Sequence, residues 1–172
     1  MDTNQRRNNV LEKISKTKTP ITATYLAKEL NVSRQVIVGD VAILRATGNN
    51  ILATARGYVL ENLQTNHNYS QKIACFHKPS GTKQELYTIV DLGATVVDIV
   101  IEHEIYGDIT GSLDLSSRKD VDDFLEKVKT SKAKLLSELT SGVHLHTIAC
   151  KDKGQFDQVY NALDSKGFIF KE

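Results

Sequence analysis

The sequence predicts an α+β protein of two domains. Three observations carry that prediction. Apolar residues recur at helical spacing three times within the first 61 residues, and a short strand pair follows. A polar, amide-rich stretch then interrupts the pattern. Beyond it, strand-like and helix-like segments alternate to the end of the 172-residue chain.

In residues 1–61 the first helix spans Asn8 to Lys16, with Val10, Leu11 and Ile14 on one face. Thr17-Lys18-Thr19-Pro20 ends it. Thr22 caps a second helix with Tyr25, Leu26 and Leu30 turned inward. After a short turn at Asn31-Val32, Ser33 caps a third helix. There Ile37, Val41 and Leu44 share a face, and Gly48 stops the helix. Strands Ile51 to Thr54 and Tyr58 to Leu60, joined through Ala55-Arg56-Gly57, form a hairpin. Two helices joined by a tight turn, with a hairpin behind them, give a winged helix-turn-helix. Ser33, Arg34, Gln35 and Val38 lie near the start of the third helix, where a recognition helix meets base edges. Arg suits guanine and Gln suits adenine. Arg56, in the hairpin loop, joins this candidate set for DNA. A small helical domain with solvated Arg and Gln is the bland alternative.

Composition agrees. The chain is 40% hydrophobic and 25% charged, as ordinary globular proteins are. No apolar run approaches the ~18 residues of a membrane span, and the polar start gives no secretory signal, so no membrane partner is expected. Two cysteines form no disulfide framework, which makes the cytoplasm the expected compartment. The net charge of +1 hides an asymmetry: residues 1–61 carry 9 Lys/Arg against 5 Asp/Glu. A basic first half suits a polyanionic partner.

Residues 62–71 read as a linker, with His67 a solvated member of it. Residues 72–172 form the second domain. Its order is β-α-β-β-α-β, then α-β: a ferredoxin-like, split βαβ plan with a mostly antiparallel sheet and helices on one face. The strands are Ile73 to His77, Thr95 to Ile101, Asp108 to Leu115, the segment around His144, and Phe168 to Phe170. A helix opens at Thr82-Lys83-Gln84-Glu85, which has the spacing of a capping box. Another opens at Ser117, a further helical piece runs from Lys132 to Leu139, and the last helix contains Phe156, Val159, Tyr160 and Leu163.

The chemistry-bearing stretch is Gly142-Val143-His144-Leu145-His146-Thr147-Ile148-Ala149-Cys150. Alternate strand residues share a face, so His144 and His146 project together, roughly 6.6 Å apart along the strand. His77 shares a face with Cys75 and Ile73 on the first strand. With Glu85 these make an N- and O-donor set suited to a divalent metal. Paired His in a strand are also ordinary half-buried residues, and Glu85 has a second role open to it as a helix cap. Cys75 is either a soft donor or a small hydrophobe. Cys150 lies about 13 Å beyond His146 along the strand, too far to share its ion. His103 ends the second strand and either titrates, pairs with a carboxylate or faces a ligand.

The residues Leu26-Ala27-Lys28-Glu29-Leu30-Asn31-Val32-Ser33-Arg34-Gln35 and Asp40 to Arg45 resemble the helix-turn-helix of biotin-repressor-like bacterial regulators. Gly39 departs from the longer polar residue often found there. His77, Glu85 and His144-Leu145-His146, with Glu102-His103 and Tyr106-Gly107 between, resemble a three-histidine domain. Both halves together resemble the niacin-responsive transcription repressors of Firmicutes and Thermotogae. That resemblance implies a DNA-binding repressor rather than an enzyme. It implies His77, Glu85, His144 and His146 as ligands of a divalent transition metal (nickel or zinc, or iron). Nicotinic acid is the implied corepressor, with His103 and Tyr106 as effector-site candidates. Operator DNA and a second copy of the chain, in a homodimer, are the implied macromolecular partners. Two rivals use the same residues: a repressor whose effector is the metal itself, and a metalloenzyme activating water.

Overall fold

A computed structural model describes residues 1–61 and 68–171 and separates the chain into two units, one on each side of the 62–67 stretch. His67 and most of the expected linker lie outside the described residues.

In the first unit the elements are α1 (Thr3–Lys16), α2 (Ala23–Glu29), α3 (Arg34–Ala46), β1 (Ile51–Thr54) and β2 (Gly57–Leu60). Asp2, Thr22 and Ser33 cap the three helices through their side-chain oxygens, each meeting the N–H three residues on. α1 starts five residues earlier than expected because the Asp2 cap nucleates it. Val10, Ile14, Leu26, Ile37, Val41, Leu44 and Ile51 form one core. Burying each aliphatic side chain contributes about 1.5–3 kcal/mol. Tyr25, expected inward, is instead 50% exposed. Ala23, Leu26 and Ala27 supply the buried face of α2, and Tyr25 falls outside it. β1 and β2 pair antiparallel, and Ile21 exchanges two 2.8 Å backbone hydrogen bonds with Tyr58, adding a third rung to the wing. Gly57 permits this: its φ is +129°, and a Cβ there would sit 2.5 Å from the Ile21 carbonyl oxygen.

The second unit contains β3 (Tyr69–Phe76), α4 (Thr82–Asp91), β4 (Thr95–His103), β5 (Gly107–Leu115), α5 (Arg118–Thr130), β6 (Val143–Cys150) and α6 (Lys153–Ser165). β3 begins at Tyr69, so residues 69–71, expected in the linker, are its first three. The sheet order is β3-β6-β4-β5, and every neighbouring pair is antiparallel. β3 and β4 therefore run parallel with β6 filling the gap between them, a split βαβ. The filling strand is the last of the sheet rather than the third. α4 packs on β4, α6 on β3 and β6, and α5 on α4. The protein is α+β, as expected.

Three local expectations are corrected. Thr82 is not the cap of α4: the cap position is Gly81, with no side-chain hydrogen bond. The chain enters α4 from a 3-10 turn at Pro79–Gly81, which places Thr82 already inside the helix. The Lys132 to Leu139 piece is only a 3-10 turn at Leu136–Thr140. The Glu138 carboxylate accepts from the Leu135 N–H at its start, and left-handed Ser141 ends it. Phe168 to Phe170 is not a full strand. It makes one bridge, Ile169 to Cys75, with 2.9 Å bonds from Phe76 N–H to Phe168 O and from Phe170 N–H to Ala74 O.

Candidate metal centre and nucleic-acid interface

β6 places His144 and His146 on its helix-covered face, 2% exposed each. Cys75 pairs opposite His144 and Ile73 opposite His146, so β3 runs alongside the two histidines. His77 lies just past the end of β3. Gly142 holds it close: a Cβ on Gly142 would come 2.5 Å from the His77 carbonyl oxygen, and its φ is +100°. α4 delivers Glu85 from above, 1% exposed. The four expected ligand residues are thus brought together from one helix, one strand and one loop.

Their geometry converges on a point. His146 Nε2 lies 2.6 Å from Glu85 Oε1. His144 Nε2 lies 3.3 Å from Glu85 Oε2, and His77 Nε2 also touches Oε2. Successive imidazoles stand near-perpendicular, with centroids 4.9 Å apart for His77–His144 and 4.8 Å for His144–His146. Ligand bonds of about 2.0–2.2 Å place neighbouring donors about 3 Å apart, which is this spacing.

The other face of each ring fixes its tautomer. Nδ1 of His77 lies 2.7 Å from Lys78 O, that of His144 2.8 Å from Gly142 O, and that of His146 2.8 Å from Asp98 O. A carbonyl oxygen only accepts, so each Nδ1 carries the proton. In the neutral rings all three Nε2 atoms are then lone-pair donors aimed at Glu85. Three lone pairs and a carboxylate cannot share a buried space without positive charge between them. His77 Nε2 and Glu85 Oε2 are buried and make no well-formed hydrogen bond. The donor set fits a divalent cation.

Protons supply that charge when a metal does not. Burial opposes the Glu85 anion, but the His146 charge and the imidazole hydrogen bonds outweigh it and hold the carboxyl well below its ordinary range. Burial likewise opposes charge on His77 and His146, and Glu85 outweighs it, raising both. The Cys75 thiol is pushed up by burial and by Glu85. Glu85 performs no capping: its carboxylate faces the imidazoles.

His103 and Tyr106 are not brought to this cluster. They stack on each other at the tip between β4 and β5, centroids 5.1 Å apart, and Tyr106 is 76% exposed. His103 Nδ1 accepts from the Ile105 and Tyr106 N–H groups. A cleft of about 310 Å³ instead opens beside His77, lined by Lys78, Pro79, Lys134, Ser137 and Gly142 among others. The sequence reading missed this cleft and missed the orienting carbonyls, since backbone acceptors leave no mark on residue type.

In the first unit Arg34 and Gln35 are exposed at the start of α3. Ser33 Oγ is taken by the Val36 N–H as helix cap. Val38 is half-buried against the core, and Arg56 is half-buried in the β1–β2 turn. Asp40, on the opposite side of α3, is 3% exposed and accepts from Arg6 Nε at 2.6 Å and Arg7 Nε at 3.2 Å. Hydrogen bonds from Arg6 hold its carboxyl below the usual range. Two of the basic residues that sequence counting offered to DNA are therefore pinned inside the domain.

Comparison with known proteins assigns each unit. Residues 6–59 match the helix-turn-helix domain family, and residues 70–172 match the 3H domain family. The chain is 43% identical over 169 residues to the transcription repressor NadR of Bacillus subtilis, covering 97% of this chain and 94% of that protein. It is 39% identical over 168 residues to the probable transcription repressor NiaR of Thermotoga maritima, covering 98% and 95%. The resemblance carried by His77, Glu85, His144 and His146 behind a winged helix is borne out: the chain belongs to the family of transcription repressors that join a helix-turn-helix domain to a 3H domain.

Proposed function

We propose that this protein represses its target genes by binding operator DNA, with nicotinic acid as corepressor sensed beside a divalent metal held by His77, Glu85, His144 and His146. One observation carries the metal: three Nε2 lone pairs, each fixed by a carbonyl at Nδ1, converge on one buried carboxylate. Zinc, nickel and iron all accept imidazole and carboxylate donors. A metal held by these four residues would keep a coordination position for a ligand atom. The His77 cleft supplies room for a planar carboxylic acid, and Lys78 and Lys134 supply cations for its carboxylate. A homodimer suits a two-fold operator, and the cytoplasm is its place of action.

Calorimetry tests this on metal-loaded and chelator-treated protein, with nicotinate and its uncharged amide as titrants. Nicotinate should bind the loaded form, and the amide should bind far more weakly. Operator affinity should rise with nicotinate. If metal alone brings operator binding to its maximum and nicotinate adds nothing, the effector is the metal.

A further inference from the structure

Cys75 is a donor at the centre to which the four-ligand metal reading gives no role. It is fully buried and lies opposite His144 in the β3–β6 register, so both side chains rise from the same sheet face. One donor atom each from Cys75, Glu85 and His144 lie within 4.8 Å of one another. The Cys75 backbone cannot drift, because it is paired to β6 on one side and bridged to Ile169 on the other. A second observation points to a ligand between these groups. Glu85 Oε2 and His77 Nε2 are buried against each other without a well-formed hydrogen bond, and both belong to the same cluster. Cys150, the other cysteine, is also buried but sits at the far end of β6, beside Asp152.

We infer that Cys75 Sγ is a fifth donor to the metal, making the centre a three-nitrogen, one-oxygen, one-sulfur set. This rests on the metal reading proposed above. As the sulfur–metal bond forms, the S–H bond breaks and its proton passes to solvent; nothing is oxidised or reduced. With five protein donors, a six-coordinate ion would keep one position for an effector atom. Cys75 also adds a soft donor to an otherwise hard and borderline set, which turns selectivity toward thiophilic ions.

X-ray absorption at the zinc edge of the full-length zinc-loaded protein tests it. A sulfur shell is expected at about 2.3 Å beside the nitrogen and oxygen shell at about 2.0–2.2 Å. The cobalt(II) form should show a sulfur-to-metal charge-transfer band in the near ultraviolet. Both signals should vanish in Cys75→Ala and persist in Cys150→Ala. A nitrogen/oxygen-only shell in the wild-type protein overturns the inference, leaves the four-ligand metal reading standing and makes Cys75 a buried small hydrophobe. Because the wild-type spectrum decides, a Cys75→Ala variant that failed to fold would not rescue it. Failure of the wild-type protein to take up zinc, nickel or iron would overturn the metal reading itself, and this inference with it.

Discussion

Removing the metal should reverse the pH dependence of stability. The Nδ1 hydrogen bonds force the three imidazoles to point lone pairs at Glu85, so the buried space holds a metal or it holds protons. In chelator-treated protein, His77 and His146 are raised above their ordinary 6.5. Their contribution is fully present below that value and is lost as pH rises through the raised folded values. Glu85 is depressed below its ordinary 4.5, so its contribution is present above that value and is lost as pH falls through the depressed one. The metal-free protein is therefore stabilised most between the two ordinary values. Each proton held by the folded but not the unfolded chain gives a slope of about 1.4 kcal/mol per pH unit. Two raised histidines give a fall of up to about 2.7 kcal/mol per unit just above the ordinary histidine value. In the metal-loaded protein the three Nε2 atoms cannot take protons while the unfolded chain can. Stability then rises with pH below the ordinary histidine value, by up to about 4 kcal/mol per unit, and flattens above it. Urea denaturation from about pH 5 to 8, with and without chelator, reads both slopes. Metal-free stability that climbs from neutral to mildly basic pH would refute the protonated cluster. Superimposable curves would refute the metal.

Other substitutions separate the remaining assignments. Arg34→Ala should weaken operator binding by about 1–3 kcal/mol and relax sequence preference; an equal loss on random DNA would mean that Arg34 touches only phosphate. His144→Ala and His146→Ala should each sharply lower metal content while the far-ultraviolet spectrum is retained, and unchanged content in both would sink the site. Gly142→Ala combines a left-handed φ with a Cβ 2.5 Å from His77 O, so it should displace His77 and lower metal affinity as well as stability. If it binds metal like the wild type, His77 is not held by that contact. Asp40→Ala leaves Arg6 and Arg7 unpaired and should destabilise the first unit by about 2–3 kcal/mol, a figure reduced from a fully buried pair because the guanidinium groups keep 18% and 25% exposure; denaturation of the full chain measures it.

The second and third helices of the first unit were legible because each announces itself twice, by a capping side chain and by an apolar stripe. The first was read from its stripe alone, and its Asp2 cap was missed. Thr22 and Ser33 cap as read, and Ile37, Val41 and Leu44 are buried as read. Tyr25 misled because an aromatic ring at a helical position looks like core until the small Ala23 and Ala27 are seen to fill that face. In the second unit, Thr82 to Glu85 has a capping box's spacing but not its role, since the 3-10 turn through Pro79–Gly81 supplies the preceding turn. That shift frees Glu85 for the histidines, so the same fact corrects the fold and strengthens the site. The pairing of His144 with His146 followed from strand periodicity alone. What joins them to His77 and Glu85 is tertiary: β6 inserted between β3 and β4, with α4 packed on β4 so that Glu85 reaches the histidines. No local pattern encodes that, and the resemblance supplied it.

Rings locked at Nδ1 bear on how the proposed metal centre would sense an effector rather than merely brace the fold. Because the carbonyls of Lys78, Gly142 and Asp98 already hold the imidazoles, a metal spends little of its binding energy ordering its ligands. The two carbonyls nearest the cleft belong to its own wall: Lys78 and Gly142 both line it. A ligand entering there meets the backbone that aims His77 and His144, so effector and metal should feel each other through shared atoms. An effector can shift operator affinity only through its differential affinity for two states of the repressor. Coupling of that kind typically reaches about 1–3 kcal/mol, or roughly 5- to 150-fold, and is reciprocal. A closed structural zinc site offers no such differential. The adjoining cleft and the shared carbonyls are therefore what would distinguish the proposed centre from a staple.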